Sequence, residues 1–120
     1  MRKIYICSAL RGEMGENICK ARIYCEFVAR EHKMIPIAPH IYLTQFLGDE
    51  NAEDREFGLK AGRSLLSGCD ELWYFGDQIS RGMADEICFV LEHGISIKYI
   101  PEQQYNKYFL KGMNKCELQL

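Results

Sequence analysis

Residues 71–100 read ELWYFGDQISRGMADEICFVLEHGISIKYI and carry one complete strand–helix–strand unit. Glu71 to Phe75 is a nearly continuous apolar run, the mark of a central strand covered on both faces. Gly76 and Asp77 break it, and Ser80 stands where a helix N-cap belongs. Ala84, Ile87, Cys88 and Leu91 recur at helical spacing and predict the buried face of the next helix, which His93-Gly94 closes. Ile95 to Ile100 is a further β-branched and aromatic run, ended by Pro101. Two strands joined this way pair in parallel through a right-handed crossover.

The same alternation extends toward the N-terminus. Lys3 to Cys7 (KIYIC) predicts a first strand, running into a small-residue loop, Ser8 to Gly12. With Asn17 read as an N-cap, Ile18, Ala21, Cys25, Val28 and Ala29 predict an amphipathic helix to about Glu31. Met34 to Ala38, held by Pro36 and Pro39, reads as a strand near a sheet edge, because proline cannot donate to a ladder. Ile41 to Leu47 and the polar residues after it read as a long connection folded over something. Phe57, Ala61 and Leu65 predict a helix over Ala52 to Ser67, with Gly68 in the left-handed C′ conformation. The expectation is a single α/β domain over residues 1–120, a three-layer parallel-sheet fold of the flavodoxin-like or Rossmann-like kind. Its core spans about residues 3–100, and residues 101–120 form a C-terminal extension whose Tyr105, Tyr108 and Phe109 suit either a last short helix or a partner contact.

Composition narrows the function. A chain of 120 residues that is 48% hydrophobic supports one core. Its 15 basic and 17 acidic residues are interspersed and leave a net charge of -2. No basic stripe tracks a phosphate backbone, so nucleic acid is not an expected partner. No run of roughly 18 apolar residues offers a membrane span, and Met1 to Leu10 is too short for a signal peptide. A soluble cytoplasmic protein is expected. The six cysteines form no CxxC pair and four fall in apolar patterns, which reads as buried free thiols. His32, His40 and His93 are not spaced as ligands, so neither metal nor cofactor is assigned.

In an open parallel sheet, ligands bind outside the carboxyl ends of the strands. Ser8 to Gly12, Pro39-His40 and Asp77 to Gly82 have that address. Gly82 permits close backbone approach, the helix after Ser80 begins with unpaired N–H donors, and Ser80 adds a hydroxyl. Glu86 lies one turn further, where its carboxylate can attack an anomeric carbon. From position alone the plainer reading outweighs this one: Asp85 and Glu86 only complement the helix dipole. Likewise Ser80 alone is a cap, Arg11 a solvated charge, His40 a satisfied ring and Tyr5 a core residue.

IYICSALRG (4–12), PIAPH (36–40), CDELWYFG (69–76) and ISRGMADEI (79–87), in that order, resemble the nucleoside 2-deoxyribosyltransferase superfamily across roughly residues 3–100. The 2′-deoxynucleoside 5′-phosphate N-hydrolases and small phage and bacterial deoxyribosyltransferase-like proteins are its most similar branches. The resemblance implies Glu86 as nucleophile and Tyr5 as the hydroxyl that orients it, and it reverses the balance for Glu86. It implies that Ser80 and the backbone at Gly82 hold a 5′-phosphate or 5′-hydroxyl, with Ser8, Arg11, Gly12 and His40 also binding substrate. It further implies a nucleoside or nucleotide ligand and a homodimer or higher homo-oligomer, to which the aromatic residues of 41–46 and 105–109 add weight. One position departs: the aspartate that those enzymes use to support protonation of the leaving base is matched by Gly62. Asp54 or Asp49, from the long connection, are the candidate substitutes, and the general acid is left unassigned. The expected function is cleavage or transfer at the N-glycosidic bond of a 2′-deoxynucleoside or its 5′-monophosphate; the alternative is a non-catalytic nucleotide-binding protein.

Overall fold

Alternate residues of the first strand serve different cores, as the two-residue period of a strand requires. Ile4 and Ile6 join one buried cluster, and Tyr5 and Cys7 join another. The computed structural model describes residues 1–119, with side chains as far as Gly112. In chain order the elements are β1 (Lys3–Cys7), α1 (Met14–His32), β2 (Ile35–Ile37), α2 (Pro39–Leu43), α3 (Ala52–Ser67), β3 (Glu71–Phe75), α4 (Arg81–Glu92) and β4 (Ser96–Ile100). A 3₁₀ turn (Glu102–Gln104) and α5 (Asn106–Gln119) follow.

The sheet order is β2-β1-β3-β4 with every neighbouring pair parallel, the flavodoxin-like α/β arrangement. On one face Tyr24, Phe27 and Val28 of α1 pack with Ile4, Ile6, Trp73, Phe75 and Tyr105. The Tyr24 and Phe75 rings stack with centroids 4.3 Å apart. On the other face Leu66 of α3 and Met83 and Val90 of α4 cover Tyr5, Cys7 and Leu72. Because the chain leaves β1 toward β2 on one side and reaches β3 on the other, the connections diverge between β1 and β3. That divergence opens a crevice at their carboxyl ends.

Several local expectations change. α1 begins at Met14, not after Asn17; the Asn17 amide instead donates to the carbonyls of Leu10 and Arg11, at 3.0 and 3.1 Å, tying down the loop after β1. Gly68 has φ of −94° and is not left-handed. Lys33 takes the left-handed position at the end of α1, with φ of 56°. Part of the long connection is the short helix α2. In α4 the buried residues are Met83 and Val90, while Cys88 and Leu91 are exposed. Phe57, placed on the inner face of α3, is exposed as well.

Tyr105 is core, and Tyr108 and Phe109 pack against the same cluster, so α5 docks on α1 within the chain. The Tyr108 hydroxyl donates to Glu31 at 2.8 Å, and Lys107 pairs with the same carboxylate. Cys7, Cys25, Cys69 and Cys88 are free thiols, but Cys19 is disulfide-bonded, against the expectation for that residue. Cys116 lies outside the described side chains. Among the described residues no helix is long and apolar enough to cross a membrane.

Candidate active site

The crevice at the carboxyl ends of β1 and β3 is a cavity of about 560 Å³. β1 contributes Tyr5, the following loop Ser8 and Arg11, α2 His40, and α4 Ser80, Gly82 and Glu86. The fold therefore gathers residues that are 81 positions apart in the chain around one space. Gly12 is the exception among the expected binding residues. It has φ of 95°, a turn that glycine adopts without strain, and it does not line the cavity.

Glu86 sits on the inner face of α4, one turn after Gly82, and the Tyr5 hydroxyl donates to its Oε2. Burial pushes the carboxyl up to about 7, and Asp85 beside it adds to the rise. The donors Tyr5 and Cys7 work in the opposite direction, favouring the charged form. Burial and the facing carboxylate both raise the Tyr5 phenol and the Cys7 thiol, so each keeps its proton. The Cys7 sulfur also lies 3.8 Å from the Met83 carbonyl oxygen, packing the strand against the first turn of α4. The result is a half-buried carboxylate held by the Tyr5 hydroxyl on one side and open to the cavity on the other.

Ser80 caps α4: its Oγ accepts from the Met83 N–H at 3.2 Å. At Gly82 a Cβ would meet no atom within 4 Å, so the space over the helix start is open to a ligand. The ring of His40 sits 3.3 Å, through Nε2, from Ser8 Oγ. Burial lowers that imidazole to about 4, which keeps it neutral near pH 7. Arg11 pairs with Asp49 at 3.2 Å in an exposed ion pair at the cavity mouth.

The α3 wall is largely new to the expected site, which takes only Gly62 and Asp54 from this helix. Asp54, Arg55, Gly58, Gly62 and Arg63 all line the cavity. Gly58 and Gly62 follow one another at one helical turn, and a Cβ at Gly62 would stand 3.7 Å from the Tyr5 hydroxyl. Each glycine in a helix interior costs about 0.5–1 kcal/mol relative to alanine. Two of them in register on one helix face are the signal that could have revealed this wall. Asp54 accepts from the Gly48 N–H at 3.0 Å, so both Asp49 and Asp54 border the site while already engaged. Among the described residues no three histidine, cysteine or acidic side chains converge as a metal site.

Comparison with known proteins adds a family and a fold. The family model described as "Domain of unknown function (DUF7768)" matches residues 2–100. No curated protein matches the sequence. Among solved structures, a 2-deoxyribosyltransferase from Bacillus psychrosaccharolyticus superposes with a TM-score of 0.67 at 20% identity. The match covers 83% of this chain and 72% of that one. At that identity the likeness is one of fold.

Proposed function

We propose that this chain, which belongs to the DUF7768 family, cleaves or transfers at the N-glycosidic bond of a 2′-deoxynucleoside or its 5′-monophosphate, with Glu86 as the nucleophile. One observation carries the reading: a half-buried carboxylate, oriented by the Tyr5 hydroxyl, opens into a nucleoside-sized cavity at the carboxyl ends of the strands. A neighbour of the same fold is by name a 2-deoxyribosyltransferase, which supports a nucleoside-like ligand.

In this reading one Glu86 oxygen attacks the anomeric carbon as the C1′–N bond breaks, giving a glycosyl ester. Tyr5 keeps its hydrogen bond to the carboxyl group and so fixes the attacking geometry. Water or a second base then displaces the ester and returns the carboxylate. Without a 2′-hydroxyl to withdraw electrons, the oxocarbenium-like transition state forms more easily, so a positioned carboxylate supplies much of the catalysis. Ser80 and the open N–H groups of α4 take the 5′-phosphate or 5′-hydroxyl, and Arg11, Ser8 and His40 border the rest of the ligand. The exposed rings of Tyr42 and Phe46 mark the face through which we expect copies of the chain to associate.

The alternative, a nucleotide-binding protein without turnover, is favoured by Gly62, which stands where the resemblance implies an aspartate that supports protonation of the leaving base. Incubation with the common deoxynucleosides and their 5′-monophosphates, read by chromatography for free base, separates the two. Base release is the expected result; tight binding without release would establish the alternative.

A further inference from the structure

A base leaving C1′ takes the electron pair of the C1′–N bond, so it must either be protonated as it goes or be stable as an anion. Among the described residues, most cavity groups able to carry a proton are held by other partners. Tyr5 donates to Glu86, and Glu86 must be ionised to attack. Asp49 is paired with Arg11 and Asp54 accepts from Gly48, while Asp85 is exposed to solvent on α4. His40 is neutral and its Nε2 is on Ser8. On the α3 wall the Gly62 backbone faces the Tyr5 hydroxyl, with Arg55 and Arg63 on the same helix. Neither of these arginines forms an ion pair among the described residues. A guanidinium gives up no proton, but it stabilises developing negative charge.

We propose that this cavity selects glycosyl donors whose base departs as a stabilised anion, the electron-poor and acidic bases, with the arginine-bearing wall of α3 balancing the charge. The inference rests on the N-glycosidic reading above. In the step it implies, the Glu86 oxygen–C1′ bond forms, the C1′–N bond breaks, and its electron pair stays on the base nitrogen. The anion then takes its proton from solvent at the cavity mouth.

The test is a set of 2′-deoxyuridines carrying fluorine, bromine, hydrogen or methyl at C5, which vary base acidity with little change in shape. Wild-type kcat/KM should fall along the series as the base becomes less acidic, by roughly tenfold per unit of leaving-group pKa. Gly62→Asp, which plants a carboxyl beside the Tyr5 hydroxyl, should flatten that dependence. The wild-type series stands without the variant if Gly62→Asp does not fold. A wild type that cleaves all four at similar rates would overturn this inference and leave the N-glycosidic reading intact. No base release even from the halogenated members would overturn both.

Discussion

The proposed chemistry is concentrated in Glu86, whose environment gives it two measurable consequences. In the proposed reaction the attacking form is the carboxylate, and burial holds the group up to about 7, so kcat/KM should rise with pH through that value. Tyr5→Phe removes a donor that favours the charged form, so the rise should move to higher pH and activity should drop by about 10- to 100-fold. The same shift acts on stability. Between the ordinary carboxyl value of 4.5 and about 7 the folded chain binds the extra proton, so Glu86 favours folding below this window and that contribution is lost as pH rises through it. Glu86→Gln should therefore unfold at a higher temperature than wild type at pH 8, by an amount corresponding to on the order of 3 kcal/mol, and should show no such advantage near pH 4. Thermal melts at both pH values check the sign. Glu86 was visible in the sequence as a carboxylate one turn into a helix, but its desolvation was not, because burial depends on what β1 and α3 lay against it.

At the scale of elements, α4 carries both the site and a testable cap. Ser80→Ala should lower stability by about 1 kcal/mol in denaturant melts, and Ser80→Asp should restore it, since aspartate caps as well as serine. If the helix start also receives a 5′-phosphate, Ser80→Asp should recover stability without recovering monophosphate affinity, which titration calorimetry would separate. Lys33 pays a left-handed conformation at the end of α1, so Lys33→Gly should stabilise the chain by about 1 kcal/mol in the same assay. The strands were legible because their apolar runs are short and bounded by glycine or proline. The phase of α4 was not, because Met83, Ile87 and Val90 form one apolar stripe and Ala84, Cys88 and Leu91 another, one residue away. Spacing cannot choose between such stripes; contact with Tyr5, Cys7 and Leu72 does. Asn17 likewise has the residue type of a cap but serves the preceding loop instead.

For the whole molecule, strand order decides which distant residues meet. Parallel pairing of β1 with β3 aligns Tyr5 with Leu72 and Cys7 with Tyr74, so the loops that follow both strands share one rim. Alternating strands and helices made that rim foreseeable from the sequence, and with it the gathering of Ser8, Arg11, His40, Ser80 and Glu86. The α3 wall left one trace in the sequence, Gly58 and Gly62 in register on one helix face, but what that face and its arginines meet is decided only when the helix docks. Association through the face bearing Phe46, 66% exposed, predicts a dimer or larger species by light scattering at micromolar concentration. Phe46→Ser should shift it toward monomer. The central claim, that this rim makes a nucleophile of Glu86, is tested most directly by mass spectrometry after incubation with a 2′-fluoroarabinosyl nucleoside bearing an acidic base. A single sugar adduct on the peptide containing Glu86, absent from Glu86→Gln, is the predicted result; base release that leaves this peptide unmodified, or proceeds equally fast in Glu86→Gln, would contradict it.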